Sequence, residues 1–147
     1  METAFGKRLD RVRQASPLVH CISNLVTAND CANIVLAAGA SPIMADAPEE
    51  VREITALSRA LCLSLGTPNP RKADAMFLAG RKAAELGLPV VFDPVGVGAS
   101  AYRQEIARKL LRDIPLTVLR CNASELQTLS GQSLVSRGVD AGKAPEL

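Results

Sequence analysis

Apolar residues recur along this chain in two rhythms, short unbroken runs and longer stretches with helical spacing. Residues 4–14 carry the helical spacing, and Ser16-Pro17 ends it. PLVHCIS (17–23) reads as a short buried strand, and TANDCANIVLAAGA (27–40) as a helix that Thr27 can cap and Gly39 can close. SPIM (41–44) is a brief strand. Pro48, Glu49 and Glu50 suit a helix start, because Pro tolerates the first turn and acids favour the positive end of the dipole; this helix runs to about Arg59. ALCLSLGT (60–67) is another apolar strand, stopped by Gly66. Residues 69–86 are helical up to Gly87, PVVFD (89–93) is a strand, and 100–112 form a helix. LTVLR (116–120) is a fifth strand, followed by a short helix over 123–129.

Five strands alternating with helices make successive βαβ units, and continuous apolar strands predict a parallel sheet with helices on both faces. The fold class is therefore α/β. The last segment, SGQSLVSRGVDAGKAPEL, is rich in Gly and Ser and shows neither a clear strand nor a long helix. Because the pattern stops while strands and helices still alternate, 1–147 is expected to be a single, incomplete domain truncated at its C-terminal side.

With 147 residues, 48% of them apolar and 22% charged, one hydrophobic core is expected. A net charge of only +2, with three Phe, one Tyr and no Trp, argues against nucleic acid as a partner. The first sixteen residues carry charges throughout and contain no apolar signal region. Runs such as IVLAAGA end long before the ~18 residues a membrane span needs. A cytoplasmic protein without a membrane partner is expected. Cys21, Cys31, Cys62 and Cys121 form no C-x-x-C pair and read as reduced core thiols, with a zinc site as the rival. His20, the single histidine, reads as a hydrogen-bonded core residue. Phe77 and Tyr102 read as helix residues packing on the sheet, and Lys7, Arg8, Arg11 and Arg13 as a solvated helix face.

In an open parallel sheet, ligands bind beyond the carboxyl ends of the strands. Those positions hold Ser23-Asn24, Met44-Ala45-Asp46, Gly66-Thr67, Asp93-Pro94 and Arg120-Cys121-Asn122. An amide, a thioether, a carboxylate and a guanidinium on one rim suit a small polar ligand beside a phosphate and a metal, although strand-end turns use many of the same residues. In DPVGVGAS (93–100), Gly96 and Gly98 precede a helix whose N-terminal amides could receive an anion. Gly96-x-Gly98-x-x-Ala101 also satisfies the relaxed dinucleotide fingerprint. The acid expected about twenty positions later is missing, and Arg120 fits only the NADP variant. No Gly-Lys-Ser/Thr occurs, which excludes a Walker A loop.

VHCISNLVTANDCANIVLAAGASPIMADAPEEV (19–51), LSLGT (63–67), LPVVFDPVGVGAS (88–100) and LRCNASEL (119–126) together resemble hydroxyethylthiazole kinases of the ribokinase-like superfamily, over about residues 17–140. The resemblance implies ATP-dependent phosphorylation of the hydroxyl of 4-methyl-5-(2-hydroxyethyl)thiazole, a step of thiamin salvage. It implies magnesium (Mg2+) as cofactor and a homotrimer with thiazole pockets at subunit interfaces. Carried over position by position, Asn24, Met44, Gly66 and Thr67 resemble the thiazole pocket. Asp93 and Glu125 resemble the acids that organise magnesium and its waters, and Arg120 and Asn122 the ATP-phosphate contacts. Cys121 stands where the family usually has Gly, so an altered turn is expected there. The family's Gly-rich anion hole and general base are expected beyond Leu147, so no catalytic residue is assigned within the chain. The 147 residues alone are expected to be poorly soluble or to form heterogeneous oligomers instead of a clean trimer, and to show no measurable phosphorylation. The alternatives are a non-catalytic thiazole-binding or assembly remnant and an NADP-binding α/β protein.

Overall fold

Helix caps and glycine turns divide this chain where its apolar pattern changes, as a computed structural model describing residues 3–131 shows. Thr3 opens α1 (Ala4–Ala15) by accepting the Gly6 N–H at 3.1 Å, and Ser16, left-handed at φ 40°, closes it. Strand β1 (Leu18–Ile22), α2 (Ala28–Ala37) and β2 (Ser41–Ile43) follow. Then come α3 (Val51–Leu57), β3 (Ala60–Ser64), α4 (Pro70–Glu85), β4 (Val90–Asp93), α5 (Ala101–Asp113), β5 (Val118–Leu119) and α6 (Ala123–Leu129).

The five strands form one sheet in the order β2-β1-β3-β4-β5, and every neighbouring pair is parallel. Right-handed crossovers place α2 on one face and α3, α4 and α5 on the other, because only the step from β1 to β2 runs the opposite way. Leu61, Leu63, Val90 and Phe92 are fully buried together with Ala75, Met76 and Ala79 of α4 and Ile106, Ala107 and Leu110 of α5. Small residues on α4 let it lie close to the sheet. Cover is uneven: α1 and α2 have no fully buried residue, and Cys62, Val91 and Asp93 on the α2 side are only half-buried.

Several sequence expectations shift in detail. Helix α3 begins at Val51, since Pro48 to Glu50 form a turn and the Glu49 carboxylate is drawn across to Arg71 at 2.5 Å. The fifth strand shrinks to two residues because the Val90 N–H is taken by the Thr117 hydroxyl at 3.1 Å, although Thr117 and Arg120 still donate to Val90 and Phe92 carbonyls. Tyr102 is 40% exposed and does not pack on the sheet, whereas Phe77 packs on the core with the Lys109 ammonium 4.4 Å from its ring centre. All four cysteines are free thiols, but only Cys21 is buried, so the others are not core residues in the full sense. The 132–147 part of the Gly/Ser-rich segment lies outside the described residues.

His20 is the buried histidine its setting in an apolar strand predicts. Its Nε2 faces the Ala45 carbonyl at 2.8 Å, so Nε2 carries the proton, and Nδ1 meets the Thr55 hydroxyl at 2.9 Å. Burial pushes its pKa below the usual imidazole value, against smaller opposing effects of the Ala45 carbonyl and Glu50. A depressed histidine pKa means the unfolded chain takes up protons first, so stability present above about pH 6.5 is lost as pH falls through the folded value. Thermal melts from pH 7.5 to 5.5 are expected to show Tm falling by roughly 5 °C more in the parent protein than in His20→Gln. Equal falls would remove His20 from the acid sensitivity.

Candidate functional site

The direction of strand order reverses between β1 and β3, and such a switch point opens a crevice at the carboxyl ends of its strands. Here the two strand ends touch. A Cβ built on Gly66 would lie 2.5 Å from Asn24 Cβ, so glycine is what lets the loops meet. Asn24 Oδ1 accepts the Val26 N–H at 2.9 Å, and Thr67, left-handed at φ 45°, accepts the Leu25 N–H at 3.1 Å. A left-handed threonine is uncommon and marks a loop held by its surroundings. Beside this junction lies a cleft of about 160 Å³, lined by Cys21, Ser23, Leu25, Ala28, Met44 and Asp46.

Three helices aim their third residue back at these strand ends. Asn69, Ser100 and Asn122 cap α4, α5 and α6 by accepting the N–H of Lys72, Arg103 and Glu125. Lys72 Nζ donates to the Ser23 carbonyl at 2.5 Å and to the Gly66 carbonyl at 2.7 Å. Arg103 Nη1 donates to the Leu65 and Val95 carbonyls at 3.0 and 2.9 Å. Glu125 accepts the Gly96 N–H on Oε1 at 3.0 Å and the Asn122 N–H on Oε2 at 2.9 Å. Burial pushes the Lys72 pKa down, with Asp46 opposing and Arg103 adding to the effect.

Asp93 closes β4 with its two carboxylate oxygens in different settings. Oδ2 accepts from Arg120 at 3.0 Å, while the buried Oδ1 has no hydrogen-bond partner among the described residues. Burial raises the Asp93 pKa and Glu125 adds to it, against Arg120 and the Val95 N–H. An orphaned, desolvated carboxylate oxygen is a natural ligand for a hard cation, and magnesium is commonly held by one or two carboxylates plus phosphate oxygens. Glu125 retains free lone pairs beside it. The donor set therefore fits magnesium. Val95, Arg120, Cys121, Asn122 and Glu125 line a second cleft of about 290 Å³. Cys121 is not left-handed, so its turn requires no glycine, and burial pushes its thiol pKa up.

The structure thus brings Asn24, Gly66 and Thr67 into one junction with Met44 in the adjoining cleft, and Asp93, Arg120, Asn122 and Glu125 into a second cluster. Of the amides in the anion site expected around Gly96 and Gly98, the Gly96 N–H is already used, donating to the Glu125 carboxylate at 3.0 Å. Lys72 and Arg103 were not singled out by sequence. Their signal was electrostatic, since a cation in the first turn opposes the helix dipole and needs another reason to be there.

The model of the hydroxyethylthiazole kinase family matches residues 9–147. The chain belongs to this family. It is 52% identical over 139 residues to a hydroxyethylthiazole kinase of Desulfovibrio desulfuricans, covering 95% of this chain and 49% of that one. A hydroxyethylthiazole kinase of Clostridium beijerinckii is 51% identical over 139 residues, covering 95% and 50%. The solved structure of a hydroxyethylthiazole kinase from Pyrococcus horikoshii OT3 superposes with a TM-score of 0.82 at 41% identity, over 86% of this chain and 49% of that chain. The chain spans about half the length of the curated relatives it matches. Membership of the hydroxyethylthiazole kinase family displaces the NADP-binding alternative. Among the described residues, no helix is long and apolar enough to cross a membrane.

Proposed function

We propose that this chain carries the acceptor-binding side, and part of the metal and phosphate side, of a kinase that phosphorylates the hydroxyl of 4-methyl-5-(2-hydroxyethyl)thiazole from ATP. The observation that carries the reading is a thioether-lined cleft and a charged cleft built on the same strand ends. Asn24, Met44, Gly66 and Thr67 hold the thiazole, with the polarizable Met44 sulfur against the ring. Arg120 presents its guanidinium, mostly exposed, to ATP phosphate oxygens, and Asn122 fixes the turn beneath it. Asp93 Oδ1 and Glu125 would hold magnesium and its waters. Magnesium, when bound, neutralises charge on the phosphoryl oxygens during transfer.

A homotrimer with the pocket at subunit boundaries fits the surface beside the first cleft, where Leu25 and Val26 are 72% and 80% exposed. Contiguous apolar side chains next to a binding site favour cover by another chain.

Calorimetric titration of the protein with hydroxyethylthiazole, ATP with magnesium, and NADPH tests the assignment. Binding of the first two and none of NADPH is expected; tight NADPH binding without thiazole binding would overturn it. Met44→Ala is expected to weaken thiazole binding by about 2–10-fold, the range of a sulfur–ring contact, and to leave ATP binding unchanged. The reverse pattern would reassign the two clefts.

A further inference from the structure

We infer that Lys72 is a positioning residue for the acceptor, setting the spacing of the two loops that hold it. This rests on the thiazole-pocket reading proposed above. Lys72 is 3% exposed although it is a lysine, and a buried ammonium persists only where its donors are used. Its Nζ bridges the Ser23 carbonyl on the β1 side and the Gly66 carbonyl on the β3 side. The residues that follow those two carbonyls are Asn24 and Thr67. One cation therefore fixes both halves of the junction from beneath, through charge-assisted bonds that are stronger than neutral ones.

Two further links run between the same loops: the close approach of Gly66 to Asn24, and the Leu25 N–H to Thr67 Oγ1 bond. Neither reaches the carbonyl side. Without the ammonium, two carbonyl oxygens facing each other would repel and draw apart to take up water. The crevice would widen at the acceptor end, while Asp93, Arg120 and Glu125, held by their own bonds, would keep their arrangement. Lys72 thus acts through Asn24 and Thr67 and does not itself touch the substrate.

Lys72→Met and Lys72→Arg in the 147-residue protein, each checked by circular dichroism and melting, provide the test. Lys72→Met is expected to raise the dissociation constant for hydroxyethylthiazole at least about tenfold and to leave that for ATP with magnesium within about twofold. Lys72→Arg, whose guanidinium fork can donate to both carbonyls, is expected to recover most of the loss. A folded Lys72→Met protein with parent thiazole affinity, or with both ligands weakened equally, would overturn the proposal. If Lys72→Met fails to fold, the unsubstituted protein decides by NMR of the lysine ammonium groups. A slowly exchanging Lys72 signal that shifts on adding thiazole supports the proposal, and one that stays put overturns it. If the unsubstituted protein binds no thiazole at all, the functional reading itself fails, and this inference falls with it.

Discussion

Asp93→Asn is expected to separate binding from stability. Among the described residues its buried Oδ1 has no hydrogen-bond partner, and burial raises the pKa, so the folded state resists the ionised form. A carboxyl group with a raised folded pKa costs stability once pH rises through that value, because the folded state binds the extra proton. At neutral pH the neutral amide removes this cost, and the lost partner is an Arg120 side chain that is 74% exposed, a pairing of small worth. Tm should therefore hold or rise by about 2–5 °C. Magnesium-dependent ATP binding should fall at least about tenfold, since an amide cannot replace the anionic ligand. Joined to the second half of a relative such as the Desulfovibrio desulfuricans kinase, the variant should lose roughly 10²–10³-fold in turnover. A lower Tm with unchanged magnesium dependence would show that Asp93 serves the fold and not the metal.

Gly66→Ala is expected to be the most damaging single methyl group in the acceptor site. The added carbon would sit 2.5 Å from Asn24 Cβ and 2.6 Å from Asn24 Cγ, distances that real side chains do not tolerate. Asn24 Cβ is fixed to the backbone, so the loops themselves must separate, and the Lys72 bond to the Gly66 carbonyl moves with them. Overpacking of this kind costs about 1–3 kcal/mol. Thiazole affinity should fall by about 30-fold, the equivalent of roughly 2 kcal/mol. Calorimetry and melting of the variant check both effects, and parent affinity in a folded Gly66→Ala protein would place the acceptor elsewhere.

The parallel sheet was legible because its strands are short apolar runs bounded by Gly, Pro and polar pairs. His20 was legible for the same reason, lying within such a run. What sequence could not show was long-range partnership. Glu125 looked like a metal acid from its motif, yet Asn122 and Glu125 also form a reciprocal helix cap, and a spacing of three residues is equally the signature of that cap. Within the anion site read from Gly96 and Gly98, nothing local revealed that Glu125, 29 residues later, would take the Gly96 N–H. Lys72 drew no notice in the sequence, because its burial depends on carbonyl groups 49 and 6 residues away that no pattern links to it. The two-sided cover read from continuous apolar strands is present but unequal, because strand composition reports apolarity and not which face a helix reaches.

In the proposed function, one rim of the sheet holds two separate subsites, one for a thiazole and one for magnesium and the ATP phosphates. Backbone NMR of the isotopically labelled protein, titrated first with hydroxyethylthiazole and then with ATP and magnesium, tests it most directly. Two distinct sets of shifted amides are expected, Asn24, Leu25, Met44, Gly66 and Thr67 for the first ligand, and Asp93, Gly96, Arg120, Asn122 and Glu125 for the second. A single set moved by both ligands, or shifts confined to residues away from these strand ends, would contradict it.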